Sequence, residues 1–239
     1  MANGWPVRRP SAASGAGQPS SGRARLPRYT WREAWRWMRW DVPTRVALLI
    51  GAPLIWIAIA GIDPSAIGLQ LGLGLLDWLL IGLWSIAVVL VTLTYRRWLW
   101  PVRVAGDRSA LLLNLPFFLV LNPVAEELFF RGAAMFGLAN LIGMPWSIVV
   151  TSLVFGLHHG LDRQFPRSFL VLGTLGGLLF GISAAHFESV APAIVLHIAA
   201  DAVIFVAAAP ILERLGVGLR LPPPPSPTPA APAPADQAS

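Results

Sequence analysis

Three ionisable side chains lie within one apolar stretch, residues 111–150, in the sequence Pro-Val-Ala-Glu-Glu-Leu-Phe-Phe-Arg-Gly. They are Glu126, Glu127 and Arg131. At the centre of a membrane helix each such charge costs roughly 2.5–3.5 kcal/mol on insertion scales. A chain keeps charges there when a partner, a water-filled cavity or a function offsets that cost. The stretch is therefore the first candidate for a functional site.

The spacing of these residues separates the two carboxylates. Glu127 and Arg131 are four residues apart, which on a helix allows an ion pair. Glu126 is rotated by about 100° from Glu127 and need not share that pair. Because one arginine does not neutralise two carboxylates, we expect Glu126 to be free to act, with Glu127 and Arg131 supporting it. In the alternative interpretation, all three form a buried charge network that fixes helix packing.

Two further polar sets lie in apolar segments. His158 and His159 end one segment, and His197 and Asp201 lie within another. His197 and Asp201 are four residues apart and therefore share a helix face. A carboxylate, two imidazoles and an acid can position and activate a water molecule for amide hydrolysis. Glutamate and histidine are also common zinc ligands, and the spacing does not choose between the two chemistries.

The composition indicates the elements that must position these residues. The 239-residue chain is 55% hydrophobic and only 13% charged, against about 25% charged in soluble domains. Several apolar runs approach the roughly 20 residues that a bilayer requires. We predict an all-α, polytopic transmembrane helical bundle with one membrane domain over residues 46–212. About six spans are expected, at 46–62, 69–94, 110–142, 146–159, 168–185 and 190–209.

The flanking segments have a different composition. Residues 1–28 form a basic tail and residues 221–239 a proline-rich tail, and both are predicted to be disordered. Tryptophan and arginine alternate along residues 29–45, a pattern typical of an amphipathic helix at the membrane interface. An ordinary juxtamembrane collar of aromatic and basic residues is the other interpretation of this segment.

The charge distribution indicates the orientation in the membrane. The net charge is +6, and nine arginines precede Val46. Beside a membrane span, arginines mark the cytoplasmic side and anionic headgroups rather than nucleic acid. We expect the bilayer as a partner, no nucleic acid and both termini in the cytoplasm. The absence of cysteine excludes thiolate nucleophiles and thiolate metal sites.

The three polar sets together resemble the motifs of a known family. Glu-Glu-x-x-x-Arg at 126–131, Phe-x-x-x-His at 155–159 and His-x-x-x-Asp at 197–201 occur in the order of the CPBP family. That family includes the CAAX-processing intramembrane endopeptidases and the bacteriocin-immunity or abortive-infection proteins. The resemblance covers about residues 110–205. A bacterial inner (plasma) membrane location is expected from the compactness of the chain and from the family that its motifs resemble.

The resemblance implies a role for each motif. Glu126 corresponds to the family's water-activating general base, and His159 to the histidine that helps hold the nucleophilic water. His197 and Asp201 correspond to the pair that stabilises the oxyanion. The implied substrate is a membrane-associated protein or peptide, with or without a lipid modification. A non-proteolytic immunity or signalling scaffold and an ion or proton pathway are the alternatives.

The resemblance also bears on the remaining residues. It makes Glu127 and Arg131 the supporting part of the first motif, and it favours a metal-free glutamate mechanism, so no cofactor is expected, with zinc as the alternative. Asn is frequent at the position of Asp201 in the CAAX-processing branch. An amide can donate a hydrogen bond to an oxyanion, whereas an ionised Asp only accepts. Either Asp201 stays protonated, or it orients His197 and leaves donation to the imidazole.

Overall fold

The regular secondary structure of the chain is helical wherever the structure describes it. The computed structural model describes residues 31–70, 72–101, 108–161 and 166–216, and no strand occurs in these ranges. The all-α prediction is therefore confirmed. The predicted disordered tails, 1–28 and 221–239, lie outside the described residues.

The helices are short segments that often continue into one another. They are α1 (Trp31–Arg45), α2 (Ala52–Ala60), α3 (Leu75–Trp98), α4 (Arg108–Pro116), α5 (Asn122–Glu127), α6 (Gly137–Ile142), α7 (Met144–Leu161), α8 (Ser168–His186), α9 (Val190–Asp201) and α10 (Ala208–Arg214). Wider π-helical turns join several of them without a break, at Val46–Gly51, Phe117–Leu121, Leu128–Phe136 and Ala202–Ala207. A short 3₁₀ helix covers Pro64–Ile67.

Five helical stretches in the described residues are long and apolar enough to cross a membrane. They are Ala34–Ala60, Leu75–Trp98, Leu112–Ile142, Ser168–His186 and Val190–Ala207. The chain is thus a multi-pass membrane protein. The predicted fourth span, 146–159, forms α7, which is not among these five stretches. The last turn of this 18-residue helix carries His158 and His159, which lower its hydropathy.

The first span is longer than predicted. Residues 29–45 were expected to form a separate interfacial helix, but α1 runs through a π-helical turn into α2 as one continuous helix. Pro43 lies within α1, and Pro53 lies just beyond the π-helical turn, which contains the residue four positions before it. A proline removes one backbone donor from a helix, and a wider turn is one way to accommodate the loss. Gly61, with φ of 62°, ends the helix in the left-handed conformation. The position of α1 at the headgroups stays a prediction.

Helices α7 and α8 approach each other closely along their glycines. A Cβ added at Gly156 would lie 1.9 Å from Thr174 Oγ1, and one at Gly173 would lie 3.2 Å from Gly156 Cα and 3.6 Å from His159 Cβ. No larger side chain fits at Gly156 without moving a helix. The glycine spacing of α8 therefore serves close packing, as small residues do in membrane helices. This packing fixes the end of α7 that carries His159.

Helix α9 completes the frame around the site. It packs against α3, α5 and α8, and Ala193 and Leu196 on it are fully buried in the core cluster that includes Phe180 and Met135. Because α9 lies against α5, its polar residues face the two glutamates.

Candidate active site

The glutamates lie at the end of α5, where the helix widens. Glu126 and Glu127 are buried, and the π-helical segment Leu128–Phe136 begins immediately after them. Nη1 of Arg131 lies 3.1 Å from Oε1 and 3.0 Å from Oε2 of Glu127, so the predicted ion pair is present. Interruptions of this π-helical kind occur frequently at functional sites.

Arg131, in the π-helical segment after α5, contacts both α7 and α8. Its Nη2 donates a hydrogen bond to the carbonyl oxygen of Gly177 on α8, at 3.1 Å. Its guanidinium lies 4.4 Å from the ring centroid of Phe155 on α7 and 5.4 Å from that of Phe180 on α8. Cation–π contacts of a desolvated arginine contribute about 2 kcal/mol each. This fully buried side chain anchors the π-helical segment that follows α5.

Glu127 also orients a histidine of α9. His197 Nδ1–H donates to Glu127 Oε1 at 2.7 Å. The hydrogen bond of one ring nitrogen decides what the other can do. Here it directs His197 Nε2 toward Glu126 Oε2, 3.9 Å away, and toward Asp201 Oδ2, 3.7 Å away. The spacing of Glu127 and Arg131 gave no sign of this second partner.

His159 approaches Glu126 from α7. Its Nδ1 lies 2.9 Å from the carbonyl oxygen of Phe155, one turn earlier, to which Nδ1–H can donate. Its Nε2 then faces Glu126 Oε2 at 3.8 Å. His158 is exposed and turned away, with its ring 6.4 Å from that of Phe130. The two neighbouring histidines thus differ as the motif position predicts.

The second oxygen of Glu126 has a partner that the sequence reasoning missed. Arg45 Nη1 donates to Glu126 Oε1 at 2.6 Å, and Arg45 Nε donates to Asp41 Oδ2, also at 2.6 Å. The expectation of a carboxylate without a cation is therefore wrong for Glu126. Arg45 lies 81 positions earlier and carries no periodic relation to Glu126, so no local spacing could have revealed the pair.

Asn122 is a second residue that the sequence reasoning missed. Its Nδ2 donates to Asp201 Oδ2 at 3.2 Å, and both side chains are buried. A signal was available, because Asn122 lies four residues before Glu126 in an apolar run and so shares its helix face. The structure thus brings all six predicted residues together and adds Arg45 and Asn122.

An apolar cavity leads to this cluster. Its volume is about 320 Å³, and α3, α7, α8 and α9 line it. The side chains at its polar end are His159, His197 and Asp201. Exposed Val91 and Leu175 line the other end, so the cavity reaches the outer surface between α3 and α8. An apolar segment can therefore approach the polar cluster from the membrane side.

The arrangement of possible metal ligands in the polar cluster bears on the zinc alternative. In the described residues no group of three or more histidine, aspartate or glutamate side chains is placed to hold a metal ion. Two atoms that could serve as donors are already engaged, Glu126 Oε1 by Arg45 and His197 Nδ1 by Glu127. The expectation that the protein needs no metal stays a prediction.

Residues 108–203 match the family model described as type II CAAX prenyl endopeptidase Rce1-like. The three motifs lie within this segment, whereas Asp41 and Arg45 lie outside it. Comparison with curated proteins and with solved structures found no match to the chain.

Proposed function

Because the chain belongs, through residues 108–203, to the family of Rce1-like CAAX prenyl endopeptidases, we propose that it hydrolyses a peptide bond with a water molecule activated by Glu126. The family makes it an intramembrane endopeptidase that works in a lipid bilayer on a protein or peptide. Beyond this, we propose the roles of the individual residues, the glutamate mechanism and the inner-membrane location.

One observation carries the mechanism. Glu126 Oε2 faces His159 Nε2 at 3.8 Å and His197 Nε2 at 3.9 Å, and it makes no direct hydrogen bond within the described part of the chain. These separations are too long for direct hydrogen bonds, and one water molecule can bridge groups so spaced. Glu126 accepts a proton from this water as the water oxygen attacks the carbonyl carbon of the scissile bond. It then gives that proton to the leaving amine nitrogen as the C–N bond breaks.

The two histidines take complementary parts. With His159 Nδ1–H donated to the Phe155 carbonyl, a neutral His159 has Nε2 as an acceptor, which holds the second hydrogen of the water. His197 is surrounded by the carboxylates of Glu127, Asp201 and Glu126. We assign His197 as the imidazolium, which donates from both ring nitrogens. His197 Nε2–H then stabilises the negative charge that develops on the carbonyl oxygen.

The environment of Asp201 supports one of the two alternatives raised by its side chain. Asp201 Oδ2 accepts a hydrogen bond from Asn122 and lies 3.7 Å from His197 Nε2. At this distance Asp201 makes no hydrogen bond to His197, so its carboxylate acts on the imidazole through charge. We therefore assign Asp201 to the orientation of His197 and the donation to the imidazole.

The proposal is tested by comparing membrane proteomes of cells that carry the wild type, Glu126→Gln or His159→Ala. Both variants should accumulate the same unprocessed membrane protein or peptide while they express at the wild-type level. His158→Ala is the matched control, because His158 neighbours His159 but is exposed, and it should process normally. Full processing by both site variants would favour the non-proteolytic scaffold instead.

A further inference from the structure

We propose that Arg45 is a positioning residue for the active-site carboxylate and that Asp41 moderates its hold on Glu126. The inference rests on the proposed function, in which Glu126 is the base. It concerns two residues of the first helix, outside the segment 108–203 that matches the endopeptidase family. The family match therefore does not assign them a role.

The contact of Arg45 fixes the direction of the working oxygen. The two oxygens of a carboxylate lie in one rigid plane, so an anchor on Oε1 limits where Oε2 can point. Arg45 Nη1 holds Oε1 of Glu126 at 2.6 Å, and Oε2 then faces the Nε2 atoms of His159 and His197. The guanidinium itself lies 5.5 Å from the ring centroid of Phe117, so it too is held in place.

The same contact places a positive charge beside Glu126, whose burial would otherwise favour the neutral carboxylic acid. A carboxylate taken out of water without a cation tends to become neutral, and a neutral Glu126 could not accept a proton. Arg131 is already paired with Glu127. Among the described residues, Arg45 is the guanidinium in direct contact with Glu126. It therefore keeps the base in its ionised form.

Other charged and titratable side chains also surround Glu126. The groups that interact with it are His158 and His159 of α7, His197 and Asp201 of α9, and Arg131 of the π-helical segment after α5, and its neighbour in the sequence is Glu127. All of these are common to the variants compared below. A change that follows substitution in the first helix can thus be assigned to that helix.

Asp41 shares the positive charge of Arg45. It lies one helical turn before Arg45, its Oδ2 accepts from Nε at 2.6 Å, and its side chain is more exposed than that of Arg45, 34% against 20%. A guanidinium that pairs with two carboxylates stabilises the ionised form of each less than it would stabilise that of one alone. Asp41 therefore weakens the stabilisation of ionised Glu126. This prevents a strong ion pair from making Glu126 a poor base.

Arg45 and Asp41 should shift the protonation of Glu126 in opposite directions. Infrared spectroscopy of the full-length protein in lipid nanodiscs, recorded as the pH is varied, tests this. The carboxylic acid band that Glu126→Gln removes reports protonated Glu126. In Arg45→Gln this band should appear at a pH higher than in the wild type by about one unit or more. In Asp41→Asn it should appear at a lower pH. Arg39→Gln is the matched control, because Arg39 is exposed on the same helix, and it should titrate like the wild type.

Arg45→Lys provides the rescue variant if Arg45→Gln does not fold, since a lysine keeps the charge without the planar fork. In Arg45→Lys the carboxylic acid band of Glu126 should appear at a pH between those of the wild type and Arg45→Gln. A band of Arg45→Gln that coincides with that of Arg39→Gln would overturn the inference, and so would shifts of the same sign in Arg45→Gln and Asp41→Asn. The readout needs no substrate. If Glu126→Gln still processes substrate while the shifts are seen, the proposed function fails and the coupling stands.

Discussion

His197 Nδ1 lies 2.7 Å from Glu127 Oε1, so the carboxylate that pairs with Arg131 also orients the histidine that faces Glu126. The supporting ion pair and the proposed catalytic groups are therefore one connected network. Glu127 links α5 to α9, and Arg131 links the π-helical segment after α5 to α7 and α8. The helices and the site should consequently respond together to changes at Glu127.

Glu127→Gln should lower both stability and activity. The substitution leaves Arg131 without a charge partner in a fully buried position and weakens the orientation of His197. Removal of one partner of a buried ion pair costs about 3–5 kcal/mol. Thermal unfolding in detergent should show a clearly lower midpoint than in the wild type, and substrate processing should be lost.

Glu126→Gln is the matched comparison for that experiment. Its cation, Arg45, is partly exposed and keeps Asp41 as a second partner, so the loss of stability should be smaller while the loss of activity is as large. Equal destabilisation by the two glutamine variants would contradict the division of roles between the two glutamates.

Asn122→Ala should slow the reaction without unfolding the protein. It removes the hydrogen bond to Asp201 Oδ2, a contribution of about 1 kcal/mol, which corresponds to about a fivefold change in rate if it is lost in the transition state. Asn122→Asp should be worse, because it places a second carboxyl beside Asp201. The measurement is the initial rate of substrate processing at equal protein level. Wild-type rates in both variants would show that Asp201 needs no orienting partner.

Gly156→Ala should displace His159 by pushing α7 away from α8. Its Cβ would lie 1.9 Å from Thr174 Oγ1 and 2.8 Å from the carbonyl oxygen of Leu170, which is backbone and cannot rotate aside. Overpacking of this kind costs about 1–3 kcal/mol. Chemical denaturation should show this loss, together with reduced processing. Gly82→Ala on α3 is the control, because a Cβ there meets nothing within 4 Å, and it should be as stable as the wild type or more so.

The sequence predicted the contacts that lie within one helix. Glu127 with Arg131 and His197 with Asp201 are each four residues apart, so helical geometry alone brings them together. Contacts between helices were not accessible in the same way. Glu127 with His197 and Arg45 with Glu126 join residues 70 and 81 positions apart. Their pairing depends on how the helices pack.

The dependence on helix packing and continuity also explains two differences between the predicted and the observed helices. Arg45 precedes an apolar run and was interpreted as part of a juxtamembrane basic segment, because hydropathy does not record that the helix continues through it. His158 and His159 made α7 too polar to count as a span, although the histidine that belongs to the site requires that polarity. Both departures concern residues at or beside the site, where function conflicts with the composition of an ordinary membrane helix.

Removal of divalent metals should leave processing unchanged. A metal bound between Glu126, His159 and His197 would have to compete with Arg45 for the carboxylate. The cation charge of Arg45 already offsets that of Glu126, so an added metal ion would meet repulsion as well as few free donors. Protein treated with a chelator and shown by elemental analysis to lack zinc should keep its wild-type rate, while a zinc metallopeptidase treated in parallel loses its own. Loss of processing that added zinc restores would contradict the glutamate mechanism and reassign His159 and His197 as ligands.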